Sequence, residues 1–269
     1  MRRVGQLRSE AVTSLIVEDD GPVRTVTINR PTVLNALNRA TVAELAQALV
    51  DAEATPSVRA LVLTGAGEKS FVAGADISEF NSVNPEGARA YSAQGHALMD
   101  ALAAARFPVI AAVNGFALGG GLELALGCDF IWCSDNARLG LVEVNLGIIP
   151  GFGGVARLSR RVGPAMAAEM IMSAAQVKAD EALRIGLVNR VHPQAALLPE
   201  VKKLAATMAD KGPLAVAAVK RLLREGEGAG LRVANALEQS AFGLVFSSED
   251  KQVGVAAFLD KSKPSFPGR

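Results

Sequence analysis

Two glutamates set among glycines and apolar residues carry most of the chemistry this sequence can offer. Glu123 follows the run Leu118-Gly119-Gly120-Gly121-Leu122, and Glu143 follows Leu139-Gly140-Leu141-Val142. A carboxylate among apolar neighbours is costly to bury unless it is hydrogen-bonded, protonated or put to use. Taken singly, Glu123 reads as a charge opposing a helix dipole, and Glu143 as half of a turn salt bridge. As a pair they suit proton transfer. The 269 residues contain only two His and two Cys. His96 and His192 stand in unrelated contexts, so no multi-histidine metal site can be assembled and no metal is expected. Acid–base work therefore falls to carboxylates, Lys or water.

Backbone amides are the second resource. Eleven of the 26 glycines fall between Gly115 and Gly163, where an even spread would put roughly five, and such clustering marks tight backbone approaches or positive φ. A buried strand ending at Val113 leads through Gly119-Gly120-Gly121 into a helix. The first amides of that helix lack internal partners and sit at its positive end. Anything anionic, or becoming anionic, could be held there. A second segment, Ser70-Phe71-Val72-Ala73-Gly74-Ala75-Asp76-Ile77, has small residues around Ala75 that could leave its N–H open to a ligand. The amides of Ala75 and Gly120 together would make an oxyanion hole. The dinucleotide pattern G-x-G-x-x-G fails after Gly119, and no G-K-[ST] follows as a P-loop requires. Gly151-Phe152-Gly153-Gly154 fails both patterns, which disfavours a Rossmann oxidoreductase. The plainer reading of either run is a tight helix–strand contact.

These groups must be placed by an alternation of strands and helices. Leu15–Val17 and Val23–Ile28 read as strands around a turn at Asp19–Pro22. Val58–Thr64, Val109–Val113, Phe130–Cys133 and Leu187–Val191 read as further strands, the second apolar throughout as in a buried parallel sheet. Helical spacing covers Thr41–Ala52 and Pro85–Ala105, where Tyr91, Leu98, Met99 and Leu102 share a face. A short helix spans Leu122–Leu126. Later helical patterns cover Ala165–Ser173, Ala179–Ile185, Ala196–Ala209, Leu214–Glu225, Val233–Phe246 and Gln252–Asp260. The expected organisation is a flexible N-terminal arm at 1–14, a mixed α/β core at 15–195 carrying the site, and a helical region at 196–269.

Composition narrows the partners. The chain is 50% hydrophobic and 20% charged, with net charge +1. That excludes intrinsic disorder and gives no electrostatic reason to expect nucleic acid or a membrane as partner. Arg2, Arg3 and Arg8 precede no apolar core of signal-peptide length. Cys128 and Cys133 lie five apart on an expected strand, on opposite faces, so they read as free, buried thiols of a reducing, cytoplasmic compartment.

Taken together, these segments resemble the crotonase, or enoyl-CoA hydratase/isomerase, superfamily. The resemblance runs from Asn29-Arg30-Pro31 and Leu34-Asn35-Ala36-Leu37, through Ala73-Gly74-Ala75-Asp76-Ile77, Asn114-Gly115 to Glu123 and Leu146-Gly147-Ile148-Ile149-Pro150-Gly151, to Ala257-Phe258-Leu259-Asp260-Lys261. It implies a spiral of β-β-α turns, then C-terminal helices that support a homotrimer or a dimer of trimers. It implies an acyl-CoA thioester substrate and no separate cofactor, coenzyme A being part of the substrate. Ala75 and Gly120 match the family's oxyanion amides, and Glu123 and Glu143 its two hydratase glutamates. Gly151 matches a backbone position that helps hold the catalytic water. Ala73, Asp76, Ile77, Phe258 and Lys261 match substrate and CoA contacts, the lysine often reaching across a subunit boundary. Val142 replaces a common proline, Val155-Ala156 a frequent Thr-Gln, and Thr32 and Ser78 stand where basic residues are frequent. The implied reaction is hydration of a 2-enoyl-CoA. The alternatives are a Δ3,Δ2-enoyl-CoA isomerase, a hydratase for a branched or carboxylated chain such as a methylglutaconyl thioester, and a non-catalytic scaffold binding CoA esters or RNA.

Overall fold

The computed structural model describes residues 13–269 except Ser82. The expected arm lies mostly outside the described residues. Its last two, Thr13 and Ser14, are tied to the body, both bonding Glu44 Oε2, at 3.1 and 2.8 Å.

The chain opens with a hairpin, β1 (Leu15–Asp20) and β2 (Val23–Ile28), and a helix, α1 (Arg39–Glu53). Three passes then repeat one plan. The first is β3 (Ala60–Gly65), β4 (Ser70–Val72) and α2 (Pro85–Ala104). The second is β5 (Val109–Val113), β6 (Phe116–Leu118) and α3 (Gly120–Gly127). The third is β7 (Phe130–Ser134), β8 (Arg138–Gly140) and the pair α4 (Gly154–Val162) and α5 (Pro164–Met172). A short closing unit follows, with β9 (Val177–Lys178), α6 (Ala179–Arg184) and β10 (Arg190–His192). The chain ends in α7 (Gln194–Ala209), α8 (Pro213–Gly226), α9 (Leu231–Phe246) and α10 (Glu249–Leu259).

In each pass the first strand joins a six-stranded sheet, ordered β1-β2-β3-β5-β7-β10, and the second joins a four-stranded sheet, ordered β4-β6-β8-β9. Pairing is parallel except for β1 on β2 and β9 on β8. This is the expected spiral of β-β-α turns. The central strands β3 and β5 are buried at every residue, which their continuous apolar runs demand.

The spiral explains the placement of α3. It follows β6 of the small sheet at once and lies inside the fold, with all eight residues buried. Its sequence, Gly-Gly-Leu-Glu-Leu-Ala-Leu-Gly, has no polar face, as an interior helix requires. Cys128 caps the end of α3, and only Cys133 is on a strand, so the two are not the opposite-facing strand pair expected from spacing. Both are free and buried. Helix α7 packs Leu197, Val201, Ala205 and Ala209 against the large sheet, so the helices standing apart from it are α8 to α10. Among the described residues, no helix is long and apolar enough to cross a membrane.

Candidate active site

Asn35 fixes the first wall of the site. It is fully buried, its Oδ1 accepts from Arg30 N, and its Nδ2 donates to Ala66 O and Ser70 O at 3.0 and 2.8 Å. To reach these partners, Leu34 and Asn35 both take positive φ, 52° and 59°, the second a conformation Asn tolerates well. This knot brings Leu37 alongside Ala75. Leu37 N–H donates to Gly74 O and Leu37 O accepts from Asp76 N–H, at 2.9 and 2.7 Å. In a parallel bridge of this kind, the residue between the two bonded groups turns its own N–H away. That residue is Ala75. The Asp76 carboxylate is held by Arg30 Nη2 at 3.1 Å and Ser78 Oγ at 2.6 Å, partners that keep it below the usual carboxylate range.

The second wall is the entrance to α3. Gly119 has φ +50° and its N–H donates to Gly140 O of β8 at 2.8 Å, which aims the chain into the helix. Gly120, the first helical residue, has no intrahelical acceptor for its N–H. A Cβ placed on Gly120 would lie 3.7 Å from Ala75 N, so the backbones of the two residues come close together here.

Glu123 stands one turn along α3 and is only 2% exposed. Its Oε1 accepts from Phe152 N–H and Gly154 N–H, at 2.7 and 2.8 Å. Burial raises its pKa, while those amides and that of Gly151 pull it back down. A side chain at 154 would crowd Glu123, since a Cβ there would lie 2.9 Å from Oε1. Glu143 begins a 3-10 turn, Glu143–Leu146, on the facing side. Burial, assisted by the charge of Glu123, pushes its pKa up to about 7. Its Oε2 is buried and meets no donor among the described residues.

Both glutamates, Ala73, Ala75, Gly120, Ile77 and Gly151 line one cavity of about 570 Å³. Its remaining wall is largely apolar, including Phe80, Val83, Tyr91, Leu146, Ile148 and Phe152. The Tyr91 ring stands edge-on to Phe80 and Phe152, at centroid distances of 5.9 and 5.0 Å. The arrangement provides two amide donors, a carboxyl that titrates near neutral pH and a second carboxyl held by amides, around an apolar slot.

The sequence matches the family described as enoyl-CoA hydratase/isomerase over residues 18–269. The chain belongs to the enoyl-CoA hydratase/isomerase family. It is 46% identical to a crotonyl-CoA hydratase of Syntrophomonas wolfei, over 95% of this chain and 98% of the relative. It is 47% identical to a short-chain-enoyl-CoA hydratase of Clostridium acetobutylicum, over 94% and 97%. The solved enoyl-CoA hydratase of Bacillus anthracis superposes with a TM-score of 0.92 at 36% identity, covering 96% of this chain and all of that one. Across its full described length this is an enzyme of the enoyl-CoA hydratase class.

Of the residues singled out by sequence in this family member, three do not reach the cavity from the same chain. Asp76 is absent from the lining, its carboxylate engaged by Arg30 and Ser78. Phe258 lies near the end of α10 and is 83% exposed, and Lys261 follows that helix, also exposed. Asn35 and Ser92 escaped sequence reasoning. An asparagine inside Leu34-Asn35-Ala36-Leu37 was the available signal for the first. Among the described residues, no group of three or more His, Cys, Asp or Glu is placed to hold a metal ion.

Proposed function

We propose that the enzyme adds water reversibly, in syn fashion, across the 2,3 double bond of a short 2-enoyl-CoA thioester, giving a 3-hydroxyacyl-CoA. The observation that carries this reading is the pair Glu123 and Glu143 on a cavity whose wall bears the free amides of Ala75 and Gly120. The thioester oxygen accepts from those two amides. As water adds to Cβ, negative charge grows on that oxygen as an enolate, and each donor of this kind is worth ~3–4 kcal/mol to the transition state. Glu123, ionised and aligned by backbone amides, orients the water and takes its proton. Glu143, with its pKa near the working pH, delivers the proton to Cα. Gly151 borders the water between them. The relatives named for crotonyl and short-chain substrates support a short acyl chain.

The substrate's CoA moiety is the only coenzyme in this scheme, and no metal takes part. The enzyme assembles as a homotrimer or a dimer of trimers, supported by the apolar side chains that α9 and α10 expose, Leu231, Phe242, Leu244 and Phe258 among them. In that assembly Phe258 and Lys261 meet CoA bound by a neighbouring subunit, and Asp76 and Ile77 border the pantetheine path. Two free, buried thiols suit a cytoplasmic setting without nucleic-acid or membrane partners. The test is turnover of crotonyl-CoA, followed by loss of enoyl-thioester absorbance, beside the 3-enoyl isomer. Hydration of the 2-enoyl ester is expected. Conversion of the 3-enoyl ester without hydration would make the enzyme an isomerase instead.

A further inference from the structure

Ser92 has no part in the two-glutamate scheme, yet it is bonded into it. It projects from α2 into the cavity lining, and its Oγ lies 2.5 Å from the carbonyl oxygen of Gly151. A carbonyl oxygen only accepts, so the hydroxyl proton of Ser92 is given to it. The same peptide unit carries the Phe152 N–H, which lies 2.7 Å from Glu123 Oε1. A peptide unit is planar, with its C=O and N–H pointing in opposite directions. One rigid plane is therefore gripped at both edges, by Ser92 at its carbonyl and by the carboxylate at its amide.

The following residues are also held, each bond falling on a separate peptide plane. The Phe152 carbonyl accepts from Arg157 Nη1 at 2.9 Å, and the Gly154 N–H donates to Glu123 Oε1 at 2.8 Å. Gly151 precedes the first plane and glycine restricts rotation least of all residues, so the grip must come from outside the loop. Ser92 supplies it from a 20-residue helix whose neighbouring Tyr91 packs edge-on against Phe152.

We propose that Ser92 is a positioning residue for hydration: through the Gly151–Phe152 peptide it fixes the amide that orients the Glu123 carboxylate. This rests on the role given to Glu123 above. A donor aimed at a carboxylate favours its charged form, so loosening the plane favours the neutral one. The charged and titratable groups facing Glu123 are Glu143, Arg157 from α4 and Tyr91 from α2, and substitution at 92 leaves all three in place.

The experiment compares Ser92→Ala with Ser92→Thr, which keeps the hydroxyl, and with Ser92→Cys, a weak donor of similar size. In Ser92→Ala, kcat for crotonyl-CoA should fall about tenfold, on the scale of a misaligned catalytic group, with KM changed less than about twofold. The acid limb of the kcat pH profile should move to higher pH, with Ser92→Thr restoring it and Ser92→Cys falling between. An acid limb unmoved in Ser92→Ala overturns the proposal, whatever happens to the rate. So does a moved limb that Ser92→Thr leaves uncorrected. Crystals of the wild type and Ser92→Ala supply a readout free of turnover. The Phe152 N to Glu123 Oε1 distance should lengthen beyond hydrogen-bonding range, and an unchanged distance overturns the clamp. Absence of wild-type hydration would defeat the reading of Glu123 instead, leaving this comparison to judge the clamp alone.

Discussion

The cavity beyond the ends of β4, β6 and β8 and the helices α8–α10 break the usual rule of burial in opposite directions. In the cavity, polar groups are inside: Glu123 is almost fully enclosed, and Glu143 Oε2 is buried without a donor among the described residues. On the terminal helices, apolar groups are outside: Leu223, Leu231, Phe242, Leu244 and Leu259 are each about 70% exposed. An enclosed carboxylate costs several kcal/mol unless something compensates it. Here two backbone amides compensate Glu123, and protonation near neutral pH relieves Glu143. Exposed apolar side chains on this scale are what the proposed assembly would cover. In the proposed reading, one region holds its imbalance for chemistry and the other for assembly.

The sharpest way to break this contrast is to neutralise the buried carboxyls. Glu143→Gln and Glu123→Gln should each lower kcat for 2-enoyl-CoA hydration by about 10²–10⁴-fold, the usual worth of a general acid or base. Stopped absorbance assays on the purified variants measure this. Near-wild-type rates in both would refute the two-glutamate mechanism. The pH profile sharpens the same point. In the proposed mechanism Glu143 is the acid and is needed protonated, so its pKa of about 7 predicts a rate that declines as pH rises through about 7. Glu123 acts ionised, and its pKa lies above the ordinary value, so the rate also declines on the acid side. Glu143→Gln should abolish the alkaline limb of whatever activity remains.

A smaller effect is expected from crowding the carboxylate. Gly154→Ala would place a methyl 2.8 Å from Glu123 Cγ and 2.9 Å from Leu141 Cδ1. Overpacking of this kind costs about 1–3 kcal/mol, readable by urea denaturation, and it should reduce kcat by displacing Glu123. The smallest effect on chemistry should come from the other region. Phe242→Asp combined with Leu244→Asp should lower the mass seen by sedimentation while leaving the fold of the spiral intact by circular dichroism. Activity should then fall through a raised KM, as CoA contacts from a neighbour are lost. An unchanged mass would remove those residues from the interface.

The sequence was most readable where function sits in a continuous run. Gly119 to Glu123 places a donor and a carboxyl one helical turn apart, so both could be named before their surroundings were known. Ala75 was readable for the same reason, as a small residue after a strand. The spiral itself was implied by resemblance, because strands as short as β4, β6 and β8 carry too few residues for a period to appear. Helix α4 was missed because glycines precede it, and glycine usually signals a turn. Contacts between distant residues were invisible: Ser92 meets Gly151 across 59 positions, and Asn35 meets Ser70 across 35. The motif marks Asp76 as a substrate contact but does not show that its carboxylate also closes a local clamp with Arg30 that shapes the Ala75 turn.

Every residue of helix α3 is buried, and its first turn meets water through the cavity that Gly120 and Glu123 line. Mobile ions screen a helix dipole only where they can approach its ends, and an interior helix keeps them at a distance. The field it presents at the Gly120 amide is therefore insulated from the ionic strength of the surroundings. Any surface charge that attracts a polyanionic thioester has no such insulation. Added salt should accordingly weaken substrate capture while leaving the bond-making step nearly untouched, dividing the enzyme into a salt-sensitive entrance and a salt-indifferent interior.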